Sequence, residues 1–171
     1  MNKKNKFFKI VIAGDGGVGK TSFLNRLIHD NFDENSELTK GVDFFSKTRM
    51  INGNEYNFIL WDFAGQHQFK QLLNDFFDGS IAAYILFDLT RFNTLENIES
   101  WIKQLNDCGK MFTFILGTKS DIIDLSDCKM FDDHISDIRM KNNNIIDYLK
   151  ISSKTGYNVK KAFDILLKKI S

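Results

Sequence analysis

Residues 14–21, with the sequence GDGGVGKT, constrain the fold of this chain more than any other segment. They follow a short apolar run, residues 7–13, which predicts a strand buried on both faces. Apolar residues recur at helical spacing from about residue 20 to residue 30. The segment satisfies G-x-x-x-x-G-K-[ST], and a chance match has a probability on the order of one in a hundred for a chain of this composition. Strand, glycine-rich loop and helix together predict a phosphate-binding loop.

The chemistry of this loop predicts its ligand. Glycines let successive backbone N–H groups face a phosphate chain, at a helix N-terminus that carries partial positive charge. Lys20 is expected to neutralise β- and γ-phosphate oxygens, both in binding and in catalysis, and Thr21 to ligate Mg²⁺. The residues predicted to contact the nucleotide here are Gly16, Gly17, Val18, Gly19, Lys20, Thr21 and Ser22.

Length and composition narrow the functional class. The 171 residues suit one domain, and 23 basic against 22 acidic side chains leave no field to hold nucleic acid. The longest strongly apolar run, residues 81–87, is too short for a membrane helix, and no secretory segment follows the Lys-rich start. Cys108 and Cys128 are too few for a disulfide framework or zinc site. We therefore expect a cytoplasmic protein.

Hydrophobic patterning predicts the order of strands and helices. Asn52-Gly53 separates two strand-like runs, which predicts an antiparallel hairpin. The predicted strands cover residues 7–13, 42–50, 56–61, 81–87, 112–116 and 145–151, and the predicted helices include residues 94–105, 131–140 and 159–170. Strands that alternate with helices favour an α/β fold with a six-stranded mixed sheet, one antiparallel pair and about five helices. Ligands of such sheets bind beyond the carboxyl ends of the strands.

The segment WDFAGQ, residues 61–66, follows the second hairpin strand. Asp62, at the predicted carboxyl end of that strand, is placed to hold the Mg²⁺ shell. Gly65 can offer its backbone N–H to a γ-phosphate, and Gln66 can orient an attacking water. D-x-x-G is a weak signal alone, but about forty residues after a phosphate loop it predicts the second half of a Mg-nucleotide site.

The segment GTKSD, residues 117–121, ends the fifth strand and predicts a guanine reader. The Asp121 carboxylate can accept hydrogen bonds from guanine N1–H and the exocyclic amine, whereas adenine presents an acceptor at N1. The Lys119 stem can cover one face of the base. A backbone N–H from Ser152, Ser153 or Lys154, after the last strand, is expected to meet the base carbonyl, and Thr118 is expected to belong to the nucleotide site. An ATPase of the phosphate-loop type remains an alternative if Asp121 does not meet the base.

Residues 31–40 are polar and aperiodic, which is typical of a surface loop. Phe32 and Thr39 stand out in this segment. The aromatic ring can pack edge-on against the base, and the Thr39 hydroxyl can complete the Mg²⁺ shell only when a γ-phosphate is present. A loop held by one such contact would order and disorder with the state of the nucleotide.

With these elements in order, the chain resembles the Ras superfamily of small GTPases over essentially its whole length. It is most similar to the Rab family, from TKGVDF at residues 39–44, WDFAGQ at 61–66 and FFDGS at 76–80. The resemblance implies a single P-loop NTPase G domain over residues 1–171 that binds GTP or GDP with Mg²⁺ and slowly hydrolyses GTP. It also implies a monomer whose switch I (31–44) and switch II (62–78) bind effectors, an exchange factor and an activating protein in membrane traffic.

Several residues depart from the family pattern. Thr118 stands where Asn is common, which predicts a weaker tie between the base and phosphate loops. Ser36 replaces the aromatic residue that often covers the phosphates, which predicts a less shielded γ-phosphate. Phe63, His67 and Gln68 replace the usual Thr, Glu and Arg of switch II, so the effector surface is expected to differ from that of Rab proteins.

The chain ends at Ser171 without a C-terminal cysteine and begins without a Met-Gly signal. We therefore expect membrane contact only through a partner or through a lipidated tail missing from this sequence. No Arg lies between residues 31 and 39, so fast hydrolysis would need an arginine supplied in trans. The alternative function is a scaffold locked to one nucleotide, which would need neither Gln66 nor Thr39.

Overall fold

The computed structural model of the chain describes residues 6–64 and 73–170. Within these residues the chain forms six strands, six α-helices and a 3₁₀ turn, Leu125–Cys128. The strands are β1 (Lys6–Ala13), β2 (Val42–Ile51), β3 (Asn54–Phe63), β4 (Ala82–Asp88), β5 (Phe112–Thr118) and β6 (Ile145–Lys150). The helices are α1 (Lys20–His29), α2 (Leu73–Phe77), α3 (Phe92–Glu96), α4 (Ile98–Asp107), α5 (Lys129–Lys141) and α6 (Val159–Ile170).

The strands form one sheet in the order β2-β3-β1-β4-β5-β6. Only β2 and β3 pair antiparallel, and every other neighbouring pair is parallel. The turn between β2 and β3 has positive φ at both Asn52 (49°) and Gly53 (78°), as a two-residue type I′ hairpin requires. The predicted mixed sheet with one antiparallel pair is confirmed.

Alternating side chains of the sheet divide the core in two. In β1, Ile10 and Ile12 belong to one buried cluster, whereas Val11 and Ala13 belong to the other. The first cluster contains the apolar faces of α1 and α6, and the second contains those of α4 and α5. Because successive strand residues point to opposite faces, helices cover both sides of the sheet. Of the run 7–13, predicted to be buried on both faces, residues 10–13 are buried, whereas Phe7 at its start is 69% exposed.

The helix predicted over residues 94–105 is interrupted. Asn97 separates α3 from α4, and its ψ of −8° is far from the value of about −42° that continues an α-helix. The Asn97 side chain donates to the Asp15 carboxylate at 2.5 Å, so the break serves a contact with the phosphate loop. Counted as one interrupted helix, α3 and α4 bring the number to the five expected. The short helix α2 was not predicted from the sequence pattern.

The topology gathers the predicted motifs at one edge. β1, β3 and β5 end at Ala13, Phe63 and Thr118, immediately before or within the segments expected to carry chemistry. In a parallel sheet the loops that follow these ends meet at the same edge. Among the described residues, no helix combines the length and apolar character needed to cross a bilayer.

Candidate functional site

A cleft of about 420 Å³ lies at this edge of the sheet. Its volume is within the range of small-molecule sites. One end is formed by the phosphate loop and the other by the loops after β5 and β6, and part of the segment 31–40 borders it between them. The predicted residues that line it are Gly16, Gly17, Gly19, Lys20, Thr21, Ser22, Phe32, Thr39, Thr118, Lys119, Asp121, Ser153 and Lys154.

The phosphate loop wraps tightly because its glycines permit it. A Cβ on Gly14 would lie 2.3 Å from the Leu86 carbonyl oxygen, and Gly19 has a φ of 94° directly before α1. Lys20 is only 6% exposed and donates to the carbonyl oxygens of Gly14 (2.9 Å) and Asp15 (2.8 Å). Burial lowers the pKa of Lys20 to about 8, although the negative charges of Asp62 and Asp15 act to raise it. A bound phosphate would favour the charged ammonium.

Three oxygen-bearing side chains converge beside the start of α1. The Thr21 hydroxyl donates to Asp62 Oδ2 and lies 2.5 Å from the Thr39 hydroxyl, and Thr39 Oγ1 lies 3.5 Å from the same carboxylate oxygen. Asp62 is fully buried, which raises the pKa of its carboxyl group. Its Oδ1 atom finds no hydrogen-bond partner among the described residues. An orphaned buried oxygen among hard donors is the arrangement that a Mg²⁺ shell would satisfy.

At the other end of the cleft, the Asp121 carboxylate is fixed from behind. Ser152, itself buried, donates from its hydroxyl to Asp121 Oδ1 at 2.6 Å. Lys119 adopts a left-handed backbone conformation (φ 61°), and its ammonium pairs with Asp88 Oδ2 at 2.6 Å. Ser152 therefore orients the carboxylate predicted to read the base, and Asp88 anchors the side chain predicted to cover it.

Helix α1 also holds the loop after β6. Arg26 donates from Nε to the Ser153 carbonyl oxygen (2.7 Å) and from Nη2 to that of Lys154 (2.6 Å). Lys154 in turn pairs with Glu34 of the segment 31–40 at 2.5 Å. These contacts join both ends of the cleft through α1, and sequence reasoning did not single out Arg26 or Glu34.

Thr118 ties the base loop to the phosphate loop despite its short side chain. It is 2% exposed, and its hydroxyl contacts the carbonyl oxygens of Val18 (2.6 Å) and Phe87 (3.0 Å). Thr118 therefore still links the two loops, because its hydroxyl reaches the phosphate loop. That the link is weaker than one made by Asn stays a prediction.

We expect Thr118→Val to accelerate GDP dissociation about tenfold, because the isosteric change leaves the buried Val18 oxygen unpaired at a cost of roughly 1 to 3 kcal/mol. Stopped-flow release of a fluorescent GDP analogue measures this rate. Thr113→Val is the matched control, since Thr113 is equally buried at the opposite end of β5. Equal release rates in Thr118→Val and wild type would contradict the role assigned to the hydroxyl.

Some predicted residues lie elsewhere. The Val18 side chain is fully buried in the core, so a nucleotide could meet only its backbone. Ser152 lies behind Asp121 and is not among the residues that line the cleft. Gly65 and Gln66, with His67 and Gln68, fall outside the described residues. The ligand contacts of Val18, Ser152, Gly65 and Gln66, and the altered effector surface at His67 and Gln68, remain predictions.

The structure adds residues that the sequence motifs did not indicate. Leu38 and Ile122 line the cleft, and Leu38 Cδ2 lies 3.7 Å from the position of a Cβ built on Gly17. An apolar side chain therefore borders the phosphate end of the cleft. The small Ser36 side chain alone predicts little shielding of a γ-phosphate there. Asp88 ends β4 and pairs with Arg91, which reaches the phosphate loop at the Gly16 carbonyl oxygen. Both residues lie at or just beyond the carboxyl end of a parallel strand, and this position is the sequence feature that could have indicated them.

Fold and cleft together define the class: an α/β protein of the P-loop nucleotide-binding type. Known proteins of similar sequence identify the family within this class. The sequence profile of the Ras family matches residues 9–171. The chain is 35% identical over 158 residues to mouse (Mus musculus) Ras-related protein Rab-36, which covers 91% of this chain and 58% of the relative. This chain belongs to the Ras family of small GTPases, and Rab proteins are among its relatives.

Two further relatives extend the comparison. Human (Homo sapiens) Rab-36 is 34% identical over 161 residues, covering 92% of this chain and 60% of the relative. Ras-related protein RABA5b of Arabidopsis thaliana is 32% identical over 165 residues, covering 95% and 74%. The predicted resemblance to the Ras superfamily, and to Rab proteins within it, is confirmed. The chain spans about three fifths of the length of the two Rab-36 proteins.

Proposed function

We propose that this chain, as one G domain over residues 1–171, binds GDP and GTP with Mg²⁺ and slowly hydrolyses GTP to GDP. The observation that carries the proposal is a single cleft with the buried Lys20 ammonium at one end and the Asp121 carboxylate at the other. A phosphate chain suits the first group, and the donor edge of guanine suits the second. Adenine would offer the Asp121 carboxylate no N1–H donor, which argues against an ATPase.

Thr21, Thr39 and Asp62 would hold the metal ion, since their oxygens already meet in the structure. Mg²⁺ neutralises the charge that develops on the phosphate oxygens. Among the described residues no cluster of three or more His, Cys, Asp or Glu side chains gathers as a metal site. A site with one carboxylate and two hydroxyls therefore depends on phosphate oxygens to complete it, which couples metal and nucleotide.

Hydrolysis would depend on positioning and electrostatics. The ammonium of Lys20 and the N–H groups of residues 17–20 stabilise the phosphates, and Gln66 orients water for in-line attack. No arginine is present in residues 31–39 to approach the γ-phosphate from switch I. The reaction is therefore slow unless a partner supplies one.

We expect Gln66→Leu to reduce single-turnover GTP hydrolysis at least tenfold, because an apolar side chain cannot orient the water. GDP affinity should stay within about twofold of wild type, since Gln66 acts only on the attacking water. Gln68→Leu is the control from the same segment. Identical hydrolysis rates in Gln66→Leu and wild type would show that another group positions the water.

We further propose a nucleotide-dependent switch that binds effectors, an exchange factor and an activating protein through residues 31–44 and 62–78. Membership of the Ras family and similarity to Rab proteins support this role, and regulation of membrane traffic rests on that similarity alone. The protein would act in the cytoplasm as a monomer, with membrane contact through a partner or through a lipidated tail missing from this sequence. A scaffold locked to one nucleotide is the competing function.

Competition binding tests the proposed ligand directly. A fluorescent GDP analogue is bound to the purified chain in the presence of Mg²⁺, and unlabelled GDP, GTP, ADP and ATP are titrated against it. We expect GDP and GTP to displace the probe at concentrations at least 100-fold below those of ADP and ATP, as a site built around a base-specific hydrogen-bond pair requires. Equal displacement by ATP would overturn the assignment to guanine.

A further inference from the structure

Arg91 lies behind the phosphate loop, three residues after the end of β4. Its Nη2 donates to the Gly16 carbonyl oxygen at 3.0 Å, and its Nε donates to Asp88 Oδ2 at 3.0 Å. The side chain is 41% exposed, and Nη2 would lie 3.6 Å from a Cβ built on Gly17. One guanidinium group therefore joins the phosphate loop to a carboxylate.

Asp88 gives this arginine a rigid anchor. Its side chain is fully buried, and Thr90 donates to Oδ1 from both its backbone N–H (2.9 Å) and its hydroxyl (2.6 Å). Lys119 pairs with the same Oδ2 atom that Arg91 contacts. Burial alone would raise the pKa of Asp88, but the contacts with Lys119, Thr90 and Arg91 lower it. The anchored carboxylate thus connects the base loop to the phosphate loop.

The geometry of the peptide bond explains what this contact does. The Gly16 carbonyl and the Gly17 N–H belong to one planar trans peptide unit and point in opposite directions. A guanidinium that holds the oxygen on the outside of the loop turns the N–H of Gly17 the other way, toward the cleft that Gly16 and Gly17 line. The Thr118 hydroxyl likewise donates to the Val18 carbonyl oxygen, so the Gly19 N–H of the same peptide unit points away from Thr118.

We propose that Arg91 is a positioning residue for phosphate binding, which preorganises the Gly17 N–H toward the outer phosphates through the Gly16 carbonyl. The inference rests on the proposed binding of guanine nucleotides. Asp88 carries the same restraint to the base loop through Lys119. Gly17 lies in the same loop as Lys20, whose ammonium is predicted to meet the β- and γ-phosphates, so the loss of Arg91 acts mainly on these phosphates, while Lys119 keeps its own contact with Asp88 at the base loop.

The test compares nucleotides of different length in Arg91→Met and Arg91→Lys. Arg139→Met is the matched control, because Arg139 pairs with Asp147 and is equally exposed (40%). Dissociation constants for GDP and GMP are measured by competition against a fluorescent GDP analogue, with melting temperature and single-turnover hydrolysis alongside. We expect Arg91→Met to weaken GDP binding about tenfold, since a charge-assisted hydrogen bond is lost, and GMP binding less than about twofold. Arg91→Lys, which keeps the charge but not the fork, should fall between.

Each other outcome overturns the inference. Equal losses for GDP and GMP that follow the melting temperature would show a role in fold stability alone. Unchanged GDP affinity with hydrolysis lowered more than about 100-fold would make Arg91 a catalytic group. If Arg91→Met does not fold, Arg91→Lys decides by the same ratio of GDP loss to GMP loss. A wild-type chain that binds no GDP would reject the proposed function itself, whereas wild-type binding with no effect in Arg91→Lys and Arg91→Met rejects only the role of Arg91.

Discussion

Lys20→Met is expected to weaken GDP and GTP binding by a factor of roughly 150 to 5,000. Lys20 is nearly buried, so solvent cannot replace the charge that the substitution removes. Removing one partner of a buried, hydrogen-bonded ion pair costs about 3 to 5 kcal/mol, which gives that factor. Equilibrium titration with a fluorescent GDP analogue measures the change.

The control is Lys129→Met, which removes a lysine of an exposed pair with Asp133, neither of which lines the cleft. Exposed ion pairs contribute about 0 to 1 kcal/mol, so this variant should bind GDP as wild type does. If Lys20→Met binds GDP within about threefold of wild type, the phosphates do not lie against Lys20. The proposed orientation of the nucleotide in the cleft would then be wrong.

Asp121→Asn is expected to exchange guanine for xanthine as the preferred base. The Asp121 carboxylate accepts hydrogen bonds from two guanine donors. An amide in its place accepts from only one of them, and its NH₂ group faces the other donor. Xanthine carries a C2 carbonyl where guanine carries an amine, so the introduced amide would have an acceptor there. We expect GDP affinity to fall about 100-fold to 1,000-fold and affinity for xanthosine diphosphate to rise, consistent with the discrimination of sites built for a donor.

Ser152 makes this prediction sharper, because its hydroxyl fixes Asp121 Oδ1 and can also contact the amide oxygen of the variant. Asp124→Asn provides the control in the same loop, where the carboxylate caps the 3₁₀ turn by accepting from the Ser126 N–H. It should leave base preference unchanged. Loss of GDP binding without any gain for xanthosine diphosphate would show that Asp121 supports the loop and does not read the base.

The fold could be predicted from the sequence because its signals are local. The glycine-rich loop, the Asn52-Gly53 turn and the apolar runs each specify a short segment, and the parallel order of the sheet follows from the alternation of strands with helices. The break at Asn97 could not be predicted this way. It depends on a contact between Asn97 and Asp15, which are 82 residues apart in the chain.

The candidate site could likewise be predicted only where its sequence signals are local. The motifs predicted which loops form the cleft, since residue type and spacing there reflect the ligand's own chemistry. They could not predict the side chains that fix those loops from outside, such as Arg26 on Ser153 or Arg91 on Gly16. An arginine that binds a distant backbone carbonyl leaves no pattern in the surrounding sequence, because the acceptor is present in every residue.

We propose that the segment 31–44 changes its order with the state of the nucleotide. Residues 31–41 form neither helix nor strand, and within them only Phe32 and Thr39 are half-buried while the others are exposed. Thr39 meets Thr21 and Asp62 at the candidate metal site. A ligand shifts a conformational equilibrium only by its differential affinity for the two states, and Thr39 is the contact that a γ-phosphate would favour.

Hydrogen exchange over residues 31–44 measures this change most directly. In wild type we expect backbone protection to rise when GDP is replaced by a non-hydrolysable GTP analogue, because the Thr39 hydroxyl then completes the metal shell. In Thr39→Ala, nucleotide affinity should stay largely intact while protection does not rise. Thr48→Ala, on the exposed face of β2, is the control and should behave as wild type. If wild-type protection over residues 31–44 is the same with both nucleotides, the chain does not switch, and the scaffold takes the place of the proposed function.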